Sequence, residues 1–407
     1  MGCGVIGSSH QDARRSTILL LWICGTFLGP FLMLSDLMQL DGLRLSEVRL
    51  VIGRDFLNVW TAGQLTLSDK LALLYDYDGY RLWQSAIFGP LDPYNYSYPP
   101  HSLFLAMSFG ALPYPIALLA WTLIGAGFFA WTARAYMPPQ LSLWTSILTP
   151  AALVNIWAGH YGFVIGGMWL LFFSLLARFP GRAGAIAGLL TLKPHLGMLI
   201  AVTLLIRKAW RAIGVAVLVT AGLILASGAI FGWDLWRDWL LETSSLQTRI
   251  LQDESYKFYF FMMPSAYVAL RGLPMEIATS AQIAVAAFAL WCVWKSRYVR
   301  NEELAFIAAS ATVLTLPYIF NYDLTVASLG FAVCLFGRWK QLNKAERAAL
   351  WFGFAAPLLV MVDNLFAPAS IAMAMFVQVR CATGRSPVHL SGLTRLLDRS
   401  RPWRVMP

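Results

Sequence analysis

Long apolar segments separated by basic residues recur along the chain, and this pattern constrains the fold more than any other feature. About 20 consecutive apolar residues cross a bilayer as a helix. Only 13% of the 407 residues are charged and 58% are hydrophobic, whereas soluble domains carry about 25% charged residues. A water-soluble fold could not bury so much apolar surface. The sequence therefore predicts an all-α polytopic membrane protein.

The basic residues predict the orientation of the spans, because Lys and Arg collect on the cytoplasmic side of a membrane. Arg14 and Arg15 place the N-terminus inside, before a first span at residues 16–34. The stretch 183–206 is interrupted by Lys193 and Pro194 and predicts a hairpin of two short helices. We expect about 10–12 transmembrane helices, the others near residues 115–134, 141–157, 161–177, 212–231, 276–295, 303–320, 324–337, 348–362 and 368–378.

This topology leaves two long outer segments, residues 35–114 and 232–275. The first contains apolar stretches too short to cross a bilayer, which favours interfacial helices with Trp60, Trp83 and the aromatic cluster at 94–98 at headgroup depth. We predict one polytopic domain over residues 1–379, followed by a basic cytoplasmic tail at 380–407.

Several chemistries are disfavoured by the sequence. It contains no P-loop, no dinucleotide-binding glycine motif and no HExxH motif, and its five cysteines show no metal-ligand spacing. The acid pairs Asp76/Asp78 and Asp234/Asp238 are better interpreted as polar helix faces than as metal ligands. The basic excess lies in short loops between spans, so it is weak evidence for nucleic acid. We expect no cofactor, no obligatory metal and no nucleic-acid partner.

A series of polar and aromatic motifs lies in and after the first outer segment. GRDFLNVWTAG at residues 53–63 is followed by LYD at 74–76, YPP at 98–100, WAGHYG at 157–162, LKPHLG at 192–197 and NYD at 321–323. In this order, from about residue 50 to 335, the motifs resemble those of glycosyltransferase family 87. One departure is His160, where many members have a Gln after the glycine.

The resemblance implies a GT-C fold and an enzyme that uses a sugar carried on a polyprenyl phosphate. The family includes mycobacterial mannosyltransferases that build phosphatidylinositol mannosides. Its members place a catalytic aspartate in the first outer loop, which corresponds here to Asp55. The resemblance also implies a bacterial inner-membrane protein whose active site faces the periplasm.

The residue types are consistent with that chemistry. An inverting transfer needs a carboxylate that accepts the proton of the acceptor hydroxyl, and the departing lipid phosphate needs nearby cations or N–H donors. We therefore predict Asp55 as the general base. The alternative is that Asp55 caps the helix that begins at Phe56.

The remaining site predictions also have structural alternatives. We predict that Lys193, with His195 or Arg54, binds the donor phosphate, although Lys193 could snorkel to the interface and Arg54 could pair with a neighbouring acid. Asp323, His160 and Tyr98 are predicted to contact sugar or acceptor. Asp323 could instead cap a helix or pair with an Arg, and both histidines could be packed core residues.

The function predicted from these arguments is inverting transfer of a hexose, with mannose as the candidate sugar, from a polyprenyl-phosphate donor to a lipid or glycan acceptor at the outer face. The alternative is a transporter or flippase of lipid-linked sugars, which would also use broken helices and intramembrane charge. The enzyme hypothesis requires Asp55, Lys193 and Asp323 to converge on one cavity.

Overall fold

The computed structural model describes residues 23–92, 94–252 and 257–384, and almost all of the regular structure in them is helical. A π-helical segment, Ile23–Leu28, leads into α1. The next helices are α1 Gly29–Met38, α2 Phe56–Leu67, α3 Tyr77–Phe88, α4 Leu103–Gly110, α5 Tyr114–Ala133, α6 Pro150–Ala158, α7 Gly162–Leu176, α8 Pro180–Leu189 and α9 Pro194–Ile206. They are followed by α10 Trp210–Phe231, α11 Asp234–Gln252, α12 Lys257–Phe260, α13 Ala266–Ala269, α14 Met275–Lys295, α15 Asn301–Thr315, α16 Thr325–Gly337, α17 Lys344–Val362 and α18 Phe366–Thr383.

Short 3-10 helices connect several of these elements, at Leu71–Leu73, Pro100–Ser102, Leu143–Ile147, Leu190–Leu192, Asn321–Leu324 and Trp339–Gln341. Three two-residue strands, β1 Leu40–Asp41, β2 Arg44–Leu45 and β3 Leu50–Val51, form a small antiparallel sheet in the order β1-β2-β3. The architecture is that of an all-α polytopic membrane protein, as predicted.

Five helices in the described residues are long and apolar enough to cross a membrane: α5, α10, α14, α17 and α18. The apolar segments Gly162–Leu176, Pro194–Ile206 and Asn321–Gly337 are shorter. The larger total of 10–12 spans remains a prediction. Residues 16–22 of the first predicted span lie outside the described residues, and so do residues 385–407 of the predicted tail. α18 continues to Thr383, beyond the predicted start of that tail.

Two predicted spans are not continuous helices. The stretch 141–157 breaks at Thr149, whose hydroxyl accepts a hydrogen bond from the Ala152 N–H (3.2 Å), and α6 begins at Pro150. Proline favours the first turn of a helix because it has no N–H to leave unpaired there. The stretch 303–320 ends as a helix at Thr315, since Leu316 before Pro317 is extended. The second break places irregular backbone at the cavity described below, where Tyr318, Phe320 and Tyr322 form part of the lining.

The predicted hairpin is confirmed, and glycines allow it to pack closely. α8 runs alongside α10: a Cβ at Gly184 would lie 2.3 Å from the Ala212 carbonyl oxygen, and one at Gly188 would lie 2.7 Å from Val219. α9 then returns towards the start of α10, and Lys193 lies at the tip between α8 and α9. The hairpin therefore carries one cation to the end of the helices furthest from the basic loops.

The first outer segment packs as a protein core, which differs from the interfacial arrangement predicted for its aromatic residues. Trp60, Tyr94 and Tyr96 are buried. The Trp60 ring contacts Trp83 and Tyr114, and its indole N–H donates to the Leu112 carbonyl at 2.9 Å. Aromatic rings contribute large apolar areas with one polar group each. These residues therefore fix the segment on which Asp55 lies.

Candidate active site

One cavity of about 580 Å³ collects most of the residues predicted from the sequence. Its walls come from the first outer segment, the turn after α6, the hairpin tip, α11 and the segment between α15 and α16. Six of the seven predicted site residues line it: Arg54, Asp55, Tyr98, His160, Lys193 and His195. The seventh, Asp323, lies directly against Lys193. Asp55 and Lys193 therefore share one cavity, whereas Asp323 is connected to it through Lys193 and lines a separate small pocket.

Asp55 is held by contacts between the first outer segment and the turn that ends α6. Its backbone N–H donates to the Ala158 carbonyl at 2.9 Å. Gly159 adopts φ +62°, and a Cβ there would lie 2.3 Å from the Gly53 carbonyl oxygen. Only glycine combines this left-handed conformation with so close an approach. The side chain of Asp55 makes no capping hydrogen bond to α2, so the capping alternative is not observed.

Substituting Gly159 with Ala is expected to reduce the predicted transfer activity by about 10²-fold while the protein still folds, because the new methyl group would displace the loop that carries Asp55. Gly127→Ala is the matched control, since a Cβ at Gly127 meets nothing within 4 Å. Initial transfer rates of the two purified variants provide the comparison. Equal rates would show that the docking of this loop does not position the reacting groups.

The surroundings of Asp55 suit a general base. Burial raises the pKa of the Asp55 carboxyl from 3.8 to about 6, although the charges of Lys193 and Arg54 and a hydrogen bond from Tyr322 act to lower it. A base whose pKa lies near neutrality can both hold and release a proton at physiological pH.

Lys193 and Asp323 form a buried ion pair at the tip of the hairpin. The Lys193 Nζ lies 2.5 Å from the Asp323 Oδ1, and the two side chains are 6% and 1% exposed. Asp323 also accepts a hydrogen bond from the Phe320 N–H at 3.3 Å. Lys193 is therefore not snorkelling, and Asp323 combines the capping and pairing alternatives, with Lys193 rather than an Arg as its partner. Because Asp323 neutralises Lys193, the lysine can stay charged in an apolar setting.

An aromatic stack connects the polar residues of the cavity. The His160 ring stacks on the Tyr322 ring with 3.9 Å between centroids, and Tyr322 stacks in turn on Phe320. The Tyr98 hydroxyl is hydrogen-bonded to His160 Nε2 at 2.9 Å, and His160 Nδ1 lies 3.9 Å from Asp323. His160 is therefore a packed and hydrogen-bonded residue that still reaches the cavity.

The other two basic residues differ in their partners. Arg54 Nη2 lies 2.7 Å from Asp36 Oδ1, as in the pairing alternative, and its guanidinium lies 3.9 Å from the centre of the Trp157 ring. His195 lines the cavity and forms no hydrogen bond with another described side chain. His195 is thus available to a ligand, whereas Arg54 is already paired with Asp36.

Sequence reasoning missed Tyr322 and the contribution of α11. Tyr322 stands beside a predicted residue in the NYD motif, but nothing in the sequence shows that its ring lies under His160. α11 carries polar and apolar residues at helical spacing, which was a detectable signal. Among the described residues, no group of three or more His, Cys, Asp or Glu side chains could hold a metal ion.

A family model for glycosyltransferase family 87 matches residues 96–321, more than half of the chain. The chain belongs to this family. The matched range includes Tyr98, His160, Lys193 and His195, begins after Asp55 and ends two residues before Asp323. No curated protein and no solved structure matches the chain. Membership of family 87 and the apolar helices make this protein a membrane glycosyltransferase. This favours the enzyme hypothesis over the transporter or flippase alternative.

Proposed function

We propose that this protein is a GT-C enzyme that transfers a hexose, with mannose as the candidate sugar, from a polyprenyl phosphate to a hydroxyl of a lipid or glycan acceptor, with inversion at the anomeric carbon. The observation that carries the proposal is the presence, in one cavity, of a carboxyl group with a raised pKa and a buried cation. Site groups with perturbed pKa values and defined partners are typical of catalytic sites.

In the proposed reaction, Asp55 accepts the proton of the acceptor hydroxyl while the hydroxyl oxygen forms a bond to the anomeric carbon. The bond between that carbon and the phosphate oxygen breaks, and the phosphate leaves with the electron pair. Lys193 stabilises the negative charge that develops on the phosphate, and His195 and Arg54 line the same cavity. A phosphate is already a good leaving group, so a second carboxylic acid is not required, unlike in glycoside hydrolysis.

The basic loops support an active site on the outer side of the membrane. Arg207, at the end of α9, donates a hydrogen bond to the Val299 carbonyl, so the basic loops after α9 and α14 lie together at one end of these helices. The positive-inside rule assigns that end to the cytoplasm. Lys193, at the opposite end of the hairpin, then faces the outer side. We propose a multi-pass inner-membrane enzyme with its active site on the periplasmic side.

Transfer is expected to depend on pH through Asp55. The carboxylate must be ionised to act as a base, and its pKa is about 6. The value of kcat/KM should therefore rise about tenfold per pH unit below this pKa and level off above it. Initial rates between about pH 4.5 and 8 test this, with the stability of the protein checked at each pH. A constant rate across this range would contradict the assignment of Asp55.

The donor is tested with the purified protein in liposomes. Radiolabelled polyprenyl-phosphate hexoses and the corresponding nucleotide sugars are supplied in turn, with bacterial membrane lipid as acceptor. We expect labelled product only from the polyprenyl donors. Product from a nucleotide sugar alone would overturn the proposed donor, and movement of labelled donor across the bilayer without product would favour the flippase alternative.

A further inference from the structure

One face of α11 forms a wall of the cavity. The residues of α11 that line it repeat at helical spacing and are Trp239, Leu240, Thr243, Ser244, Leu246, Gln247 and Ile250. None of them is charged. Across the cavity lining, Asn95 and Ser97 add further neutral polar groups. This wall therefore offers hydroxyl, amide and aromatic surfaces to a ligand.

The charged residues of the same helix lie off this face. Asp234, Arg237, Asp238, Glu242 and Arg249 do not line the cavity. Arg237 pairs with Asp234 and Asp238 at 3.5 and 3.0 Å, and its side chain is 65% exposed. The segregation leaves α11 without a cation that could meet an anionic headgroup. The basic residues of the cavity come instead from the GRD loop and the hairpin tip.

Some polar groups of the wall are held by hydrogen bonds within the protein, and others are available to a ligand. The Trp239 indole N–H donates to the Ser97 carbonyl at 3.1 Å, which sets the orientation of its ring. The side chains of Ser244, Gln247 and Asn95 form no hydrogen bond with another described residue, although all three line the cavity. Unpaired polar groups in a binding site discriminate in favour of ligands that satisfy them.

We infer that this face of α11 is the acceptor subsite and that it binds a neutral carbohydrate headgroup rather than an anionic lipid headgroup. The inference rests on the proposed transfer reaction. A sugar presents several hydroxyl groups and an apolar ring face, which match the amide and hydroxyl groups and the Trp239 ring of the wall. An anionic headgroup against this wall would meet no counter-charge from α11, and we assign the cations of the GRD loop and the hairpin tip to the donor phosphate.

The test uses two matched pairs of variants on α11. Ser244→Ala and Gln247→Leu remove groups that face the cavity, whereas Ser245→Ala and Gln252→Leu make the same changes at residues outside its lining. With an octyl hexoside as acceptor, we expect each cavity variant to raise the acceptor KM about fivefold, the effect of losing one hydrogen bond. The donor KM should stay constant, and the two control variants should match wild type.

Two results would overturn the subsite. One is an equal acceptor KM for cavity and control variants, and the other is more efficient transfer to phosphatidylglycerol than to the octyl hexoside. Equilibrium binding of radiolabelled octyl hexoside to Asp55→Asn separates the inference from the proposed reaction. Binding that is weakened by Ser244→Ala and not by Ser245→Ala supports the subsite even if no transfer is detected, and absence of binding removes it.

Discussion

Replacing Asp55 with Asn is expected to lower kcat by about 10²–10⁴-fold, the contribution typical of a general base. The amide has nearly the same shape as the carboxylate but cannot accept the proton of the acceptor hydroxyl. Folding should be preserved, because the Asp55 side chain does not cap α2 and its backbone N–H bond to Ala158 is unchanged. The measurement is transfer of radiolabelled hexose to membrane lipid by equal amounts of purified wild type and variant.

Asp92→Asn provides the matched control for this substitution. Asp92 also lines the cavity, so its replacement removes the same charge at a position without a proposed catalytic role. We expect Asp92→Asn to retain most of the activity. Equal transfer by Asp55→Asn and wild type would remove Asp55 from the mechanism and make Asp323 the next candidate for the base.

Breaking the ion pair between Lys193 and Asp323 is expected to cause a large loss of both stability and transfer. Lys193→Met would leave the Asp323 carboxylate buried and uncompensated, and removal of one partner from a buried pair costs roughly 3–5 kcal/mol. We therefore expect a marked loss of thermal stability, measured as the fraction of purified protein that stays monodisperse after heating. Transfer should also be lost because the Lys193 charge no longer stabilises the leaving phosphate.

The double variant Lys193→Met/Asp323→Asn separates these two effects. It removes both charges, and the Asn side chain can still accept the hydrogen bond from Phe320. We expect most of the stability to return while transfer stays absent. Recovery of transfer in the double variant would show that Lys193 supports only the fold. A wild-type stability in the single variant would show that the pair is not energetically coupled.

The sequence predicts the helical membrane class and the hairpin well, because both depend on local properties. Long apolar runs determine the spans, and Pro194 beside Lys193 interrupts one of them regardless of tertiary context. The predicted helix ends are less accurate where polar contacts extend a helix beyond its apolar run. α17 begins at Lys344 because the side chains of Asn343 and Glu346 cap its first turn. α18 continues to Thr383, and Arg380 near its end pairs with Glu346 of α17.

The sequence predicts which residues form the site better than it predicts the contacts between them. Motif order selects Asp55, Lys193, His160 and Tyr98, and the structure brings them to one cavity. The sequence could not assign the partners, because pairing of Lys193 with Asp323 depends on residues 130 positions apart. The same limit applies to Trp60, which is as typical of a membrane interface as of the buried position it occupies.

The central claim is a single displacement in which Asp55 activates the acceptor hydroxyl, and the anomeric configuration of the product tests it most directly. Purified wild type is given a polyprenyl-phosphate hexose of known configuration, and the product is analysed by NMR and by anomer-specific glycosidases. The proposed mechanism predicts inversion at the anomeric carbon. Retention would contradict it, because a single in-line displacement must invert the anomeric carbon.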